Sequence, residues 1–268
     1  MERETPDVSV YFVGAGPGAL DLLTVRAQRI LEQADLILYA DSLVNPDLTT
    51  LAKAGAEVVG SAGLTLEQIV DRMIEAVRAG RLVARVHSGD PSIYGAIREQ
   101  MVALSAAGIR YAVVPGVTSL FGAAAALGVE LTVPEISQTI IISRAEGRTP
   151  VPDRQRLRAL ASHQATLAIY LSAGMIERVV EELAEGGYPT DTPAAVVYRA
   201  TWPDQKIFRG TISDIASTVR TAGISRQALI LVGEALRTQG EGKDFAESRL
   251  YSASFDHGYR GLSDNGPR

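Results

Sequence analysis

Three short loops of small residues, each directly after an apolar run, constrain this chain more than any other feature. The first is Gly14-Ala15-Gly16-Pro17-Gly18-Ala19, after the run Val8 to Val13. The second is Ser88-Gly89-Asp90-Pro91, preceded by His87 and the run Leu82 to Val86. The third is Pro115-Gly116-Val117-Thr118-Ser119, after Tyr111 to Val114. Short apolar runs bounded by Gly and Pro read as buried strands. Between them lie helical patterns. The clearest spans Thr65 to Ala79, where Leu66, Ile69, Val70, Met73, Ile74 and Val77 share one face. Thr65 with Gln68 suits a capping box at its start, and Gly80 suits its stop. Strands separated by helices need crossover connections, which predicts an α/β fold with a mostly parallel sheet. Ligands of such sheets bind outside the carboxyl ends of the strands. Three small-residue loops at that one edge point to a single pocket.

The remaining pattern extends this alternation. Helices are predicted from about Leu22 to Gln33 and from Ile93 to Ala107, with a strand at Leu36 to Tyr39 between the first two helices. Gly128 to Pro134 has no helical period and reads as a linker. A second series follows, with strands at Thr139 to Ser143, Leu167 to Leu171, Ala194 to Tyr198, Lys206 to Arg209 and Ala228 to Val232. Met175, Ile176, Val179, Val180 and Leu183 mark one of its helices, and Ile212 to Arg220 another. The expected organisation is an α/β domain over 1–130, a second over 131–236, and a polar, loosely ordered tail over 237–268.

Composition narrows the chemistry. Hydrophobic residues are 46% of the 268, enough for a real core. With no Cys, the chain has no disulfide, no thiolate metal site and no thiol nucleophile. Three His residues, His87, His163 and His257, make a polyhistidine metal centre an unlikely expectation, and none is assigned. A net charge of −5 argues against a nucleic-acid partner. Of 26 basic residues only three are Lys, and Arg suits bidentate pairing with carboxylates or phosphates. The charged Met1 to Asp7 is not a signal peptide, and the longest uncharged run, Tyr111 to Val129, is broken by Pro and Gly. A cytoplasmic protein without a membrane partner is expected. G-x-S-x-G, Walker-type and H-E-x-x-H motifs are all missing.

Gly14 to Ala19 also fits G-x-G-x-x-[GA], with Asp41 placed where a ribose ligand would sit. This is the dinucleotide-dependent oxidoreductase alternative. Pro17 counts against it, because a phosphate-binding turn works through bare N–H groups and Pro has none. Asp90, next to Pro91, can be a turn former or a ligand contact. His87 at a strand end can be a packed structural residue or a base.

The runs V-G-A-G-P-G-A-L-D-L-L-T-V-R-A, S-G-D-P-S-I-Y-G and V-P-G-V-T-S occur in the order found in the tetrapyrrole (precorrin) methyltransferases, and the chain resembles that family over Val8 to Leu236. L-Y-A-D-S-L-V, S-R-A-E-G-R-T-P-V-P and Y-R-A-T-W-P-D-Q-K-I resemble the branch acting at C11 of precorrin-4 or its cobalt form. The resemblance implies two α/β domains of the tetrapyrrole methylase type with the cofactor cleft between them, usually in a homodimer. It implies S-adenosylmethionine as cofactor, and C11 methylation in cobalamin biosynthesis. Another ring position is the alternative within the family, and a non-catalytic ligand sensor is one outside it.

By motif, the implied cofactor contacts are Pro17, Ser88, Gly89, Asp90, Ile93, Thr118, Ser119, Leu171 and Ala200. Leu171 stands where relatives carry Met, and Ser88 where many carry Gly. Arg144, Arg148 and Arg199 are candidates for the substrate carboxylates. Methylation obliges a proton to leave the ring, and Asp41, His87 and Glu146 are the acid–base candidates.

Overall fold

In the computed structural model, which describes residues 8–237, the chain forms two units. The first contains the described residues up to Leu127 together with Val197–Lys206. Its sheet is built from β1 (Val10–Gly14), β2 (Leu36–Tyr39), β3 (Glu57–Gly60), β4 (Val83–His87) and β5 (Tyr111–Val114), in the order β3-β2-β4-β1-β5. Every pairing is parallel. All five carboxyl ends therefore lie along one edge. Helices α1 (Val25–Gln33), α2 (Leu66–Arg78), α3 (Arg98–Ala106) and α4 (Ser119–Leu127) belong to the same unit.

The sheet is covered on both faces, as parallel sheets are. Val13, Ile37, Ala84 and Val86 pack with Ala27, Ile30 and Leu31 of α1. Val10, Phe12, Leu36, Leu38 and Val83 pack with Ile69, Val70 and Met73 of α2 and Leu104 of α3. Burying each large apolar side chain of α2 contributes about 1.5–3 kcal/mol. The capping box of α2 is complete: Thr65 Oγ1 accepts from Gln68 N, and Thr65 N donates to Gln68 Oε1. Gly80 ends the helix at φ +75°.

The first unit departs from the sequence pattern at three places. Helix α1 starts at Val25, with Thr24 as its cap and a short 3-10 turn, Leu20–Leu22, before it. The helix expected from Ile93 begins only at Arg98, because Tyr94 and Ala96 take φ values of +54° and +49°. Strand β3 had no reading in the sequence; it is four residues at a sheet edge, its first two exposed.

The second unit holds β6 (Ile140–Arg144), α5 (Leu157–Ala161), β7 (Thr166–Tyr170), α6 (Ile176–Glu185), most of β8 (Pro193–Tyr198) and of β9 (Lys206–Thr211), α7 (Ile215–Thr221) and β10 (Ala228–Val232). The strand order is β6-β7-β10-β8-β9. This sheet is mixed, since β6 and β7 are parallel while β7 and β10 are antiparallel. Leu157 of α5, Val179 and Leu183 of α6 and Ile215 and Val219 of α7 close its core over Leu167, Ile169, Val196, Ile230 and Val232. The tail expected over 237–268 lies, beyond Arg237, outside the described residues. Among the described residues no helix is long and apolar enough to cross a membrane.

Candidate functional site

β1, β4 and β5 are adjacent and parallel, so their carboxyl-terminal loops emerge side by side. The structure interlocks them. Gly89 N donates to Gly16 O at 2.8 Å, Gly16 N to Gly89 O at 3.2 Å, and Ala15 N to His87 O at 2.8 Å. Gly116 N donates to Asp90 Oδ2 at 2.9 Å. A methyl group at Gly14 would stand 2.6 Å from Gly116 N and 2.7 Å from Gly89 O. Only glycine lets three backbones meet this closely. The three loops are thus hydrogen-bonded into one structure.

Asp90 is the joint of that structure. Besides Gly116 N, its carboxylate accepts from Ser92 N at 2.9 Å and from the Ser92 hydroxyl. Partial burial pushes its pKa up, but the Ser92 hydroxyl and the Gly116 and Ser92 amides outweigh this and hold it below the usual carboxylate range. Asp90 is therefore an anion whose bonds shape two loops. Ser88 is half-buried and Gly89 buried with φ +62°. Ile93 sits in the irregular segment before α3, its N–H bonded to Asp90 O. Thr118 is buried, and its carbonyl accepts from Phe121 and Gly122 as the chain enters α4 at Ser119.

The first loop is held by side chains from distant segments. Trp202 Nε1 donates to Pro17 O at 3.1 Å, Asn45 Nδ2 to Gly18 O at 3.1 Å, and Ala19 N donates to Thr201 Oγ1 at 3.0 Å. With Ala15 N and Gly16 N bonded across to the second loop and Pro17 lacking an N–H, this turn has no row of bare donors for a pyrophosphate. No α-helix starts on it either, since only a 3-10 turn, Leu20–Leu22, follows and α1 begins at Val25. The dinucleotide alternative fails on both counts. Ala200, the implied contact, is buried beside these residues.

Asp41 follows β2 at the same sheet edge, exposed, with Oδ1 accepting from Ala62 N at 2.7 Å. Beneath that edge Arg85 is buried. It donates to Gln100 Oε1, Leu38 O and Ser61 Oγ, and burial lowers its pKa to about 10. His87 is buried on the same strand, with Nε2 lacking a partner among the described residues. Burial, reinforced by the Arg85 charge, pushes its pKa down to about 3, so the imidazole is neutral and weakly basic.

The second unit carries the other expected residues. Leu171 follows β7, 63% exposed, at φ +56°. Beside it Ser172 Oγ donates to Tyr170 O and accepts from Ala145 N, tying β7 to the loop after β6. In that loop Arg144 donates to the carbonyls of Ala145, Thr149 and Pro150, curling the chain around its guanidinium. The Glu146 carboxylate lies 3.5 Å from Arg156 and 3.8 Å from Arg178, and accepts from Val151 N. Arg148 is exposed, with no hydrogen bond or ion pair among the described residues. Arg199, in the segment that belongs to the first unit, pairs with Asp204 at 2.6 Å and stacks on Tyr198 and Trp202.

Nothing in the sequence marks Asn45, Thr201 or Trp202 as loop-holding residues. Thr201 and Trp202 sit in Y-R-A-T-W-P-D-Q-K-I, but their partners are 182 and 185 positions away.

Comparison with known proteins agrees with this geometry. The profile of the tetrapyrrole (corrin/porphyrin) methylases matches residues 9–216. A protein of Methanocaldococcus jannaschii named cobalt-precorrin-4 C(11)-methyltransferase is 53% identical over 251 residues, 94% of this chain and 95% of that one. The X-ray structure of a cobalt precorrin-4 methyltransferase of cobalamin biosynthesis is 52% identical, with a TM-score of 0.83 over 85% of this chain and 96% of that one. A uroporphyrin-III C-methyltransferase from Thermus thermophilus, solved with S-adenosyl homocysteine, is 30% identical, with a TM-score of 0.72 over 85% and 98% of the two chains.

Proposed function

The chain belongs to the tetrapyrrole (corrin/porphyrin) methylase family, and from that premise we propose that it methylates C11 of precorrin-4, with or without cobalt, using S-adenosylmethionine in cobalamin biosynthesis. The observation that carries this reading is the interlock of three glycine loops at one sheet edge, joined by Asp90.

The loops suit the cofactor. Close-packed glycine backbone, with Pro17, Ile93 and Thr118 on the same three loops, supplies the mixed apolar and polar chemistry that small-molecule sites use. Pro17, Ser88, Gly89, Asp90, Ile93, Thr118, Ser119 and Ala200 would hold it there. When bound, S-adenosylmethionine would supply an electrophilic methyl group to the nucleophilic ring carbon, its sulfur keeping the electron pair of the broken bond. The chain's own contribution is to orient the two reactants, which is worth about 7–11 kcal/mol in favourable cases.

The proton leaving the ring needs an acceptor. Asp41 suits this best of the three candidates. It is an exposed carboxylate at the loop edge, fixed through one oxygen by Ala62 N with the other free to accept. His87 is buried and weakly basic, and Glu146 is held between two Arg residues. For the substrate carboxylates, Arg148 offers a guanidinium with no partner among the described residues.

Incubation with methyl-labelled S-adenosylmethionine and a precorrin-4-type ring, followed by NMR of the product, tests the reading. A new labelled methyl at C11 is expected. Labelling elsewhere would move the assignment to another ring position, and no labelling by a protein that binds the ring would sink it.

A further inference from the structure

Three consecutive residues of the first loop each give a backbone polar group to a side chain from a remote segment. Pro17 O is taken by Trp202, Gly18 O by Asn45 and Ala19 N by Thr201. The indole also lies against Gly18 so closely that a methyl group there would overlap the ring. On the Trp202 ring stacks Arg199, its guanidinium carbon 4.8 Å from the ring centroid and itself paired with Asp204.

The turn that delivers these groups is strained and fastened. Arg199 and Thr201 take φ values of +46° and +69°, a conformation that costs free energy in residues other than glycine. Thr201 N donates to Gln205 Oε1 at 2.7 Å, and Trp202 N to Arg199 O at 3.0 Å, which hold the turn in that shape. Held in this shape, the turn aims an indole N–H and a hydroxyl at one neighbouring loop.

We propose that Trp202 is a positioning residue for the cofactor: with Thr201 and Asn45 it clamps Pro17–Ala19 in the form that receives S-adenosylmethionine, and Arg199 braces the indole. The clamp rests on the cofactor reading above. It works by preorganisation, since a loop already ordered loses less freedom on binding. Trp202 should therefore govern cofactor affinity and leave ring affinity alone. It is also the only Trp of the chain, so its emission reports on this loop directly.

The test uses S-adenosyl homocysteine as the probe. Calorimetry gives its affinity for the wild type, W202F and W202L; ring affinity and thermal melting are measured alongside. W202F keeps an aromatic face against Gly18 but loses the N–H, and is expected to weaken binding by about fivefold, the factor one net hydrogen bond carries. W202L loses the aromatic face as well and should weaken binding further. Ring affinity is expected to stay within twofold for both, a split that simple loss of stability would not give. In the wild type, Trp202 emission should change on titration and saturate at the calorimetric affinity, a measurement that needs no variant to fold. Variants that bind the probe as the wild type does, or emission unmoved at saturation, would overturn the clamp while leaving the cofactor reading intact. A folded wild type that binds no probe would instead overturn the cofactor reading itself.

Discussion

The carboxylate of Asp90 and the amide of Gly116 meet at 2.9 Å, and through that bond the loop after β4 holds the loop after β5. Because Asp90 also takes the Ser92 amide and hydroxyl, one side chain sets the shape of two of the three loops. Under the function proposed above, Asp90 acts on cofactor binding through that geometry, whether or not it touches the ligand.

Asp90→Ala should lower affinity for S-adenosyl homocysteine by about ten- to a hundredfold, in line with the ~1–3 kcal/mol of a buried donor left without its acceptor. Asp41→Ala should change it less, since the Asp41 carboxylate bonds the turn after β3 and none of the three glycine loops among the described residues. Calorimetry on both variants decides; the reverse ranking would remove Asp90 from its place at the joint.

Gly14→Ala should be among the most destabilising single changes in the first unit. The added methyl would meet the backbone of Gly116 and Gly89, neither of which can rotate away. Overpacking of this kind typically costs about 1–3 kcal/mol or more. Urea unfolding measures it, and a midpoint equal to that of the wild type would mean that the loops separate readily.

His87 makes stability depend on pH in a defined window. Its pKa falls from 6.5 in the unfolded chain to about 3 in the folded one. The unfolded state therefore binds a proton that the folded state refuses, and stability drops as pH falls from 6.5 towards 3. At pH 5 the loss is on the order of 2 kcal/mol. Asp35 and Asp90, held below the usual carboxylate range, contribute stability that is lost below about pH 4, so they act at the acid end of this window and leave the span from pH 7.5 to 5 to His87. Urea midpoints at pH 7.5 and pH 5 should differ clearly for the wild type and much less for His87→Gln. Equal differences would assign the acid sensitivity to another group.

Two Arg residues four positions apart should behave oppositely. Arg144→Met should destabilise the second unit by about 1–3 kcal/mol, because three carbonyls lose a charged donor. Arg148→Lys should leave the melting temperature unchanged, having no bond among the described residues to lose, yet weaken binding of the tetrapyrrole, since Lys cannot reproduce the bidentate fork. Thermal melting and ring-binding titrations separate the two, and unchanged ring affinity in Arg148→Lys would return it to an ordinary surface residue.

What the sequence determined by itself was the local order of things. Apolar runs ending in glycine loops are visible because burial and turn geometry act on neighbouring residues, and so β2, β5, β10 and the capped helix α2 stand where their residues alone put them. The same local patterns placed the three loops at one edge, since adjacent parallel strands leave no alternative. Local patterns also misled. Ile93-Tyr94-Gly95-Ala96-Ile97 has helical composition, but Tyr94 and Ala96 turn left-handed to carry the chain from the Asp90 loop into α3. Tertiary structure alone decided that Asp90 is a joint, that Arg144 is the hub of its loop, that His87 is neutral, and that Trp202 and Thr201 grip a loop more than 180 positions earlier. The physical reason is common to all four. Which donor meets which acceptor, and how much water a side chain keeps, depend on segments brought together only by the closing of the core, and no periodicity in the chain encodes them.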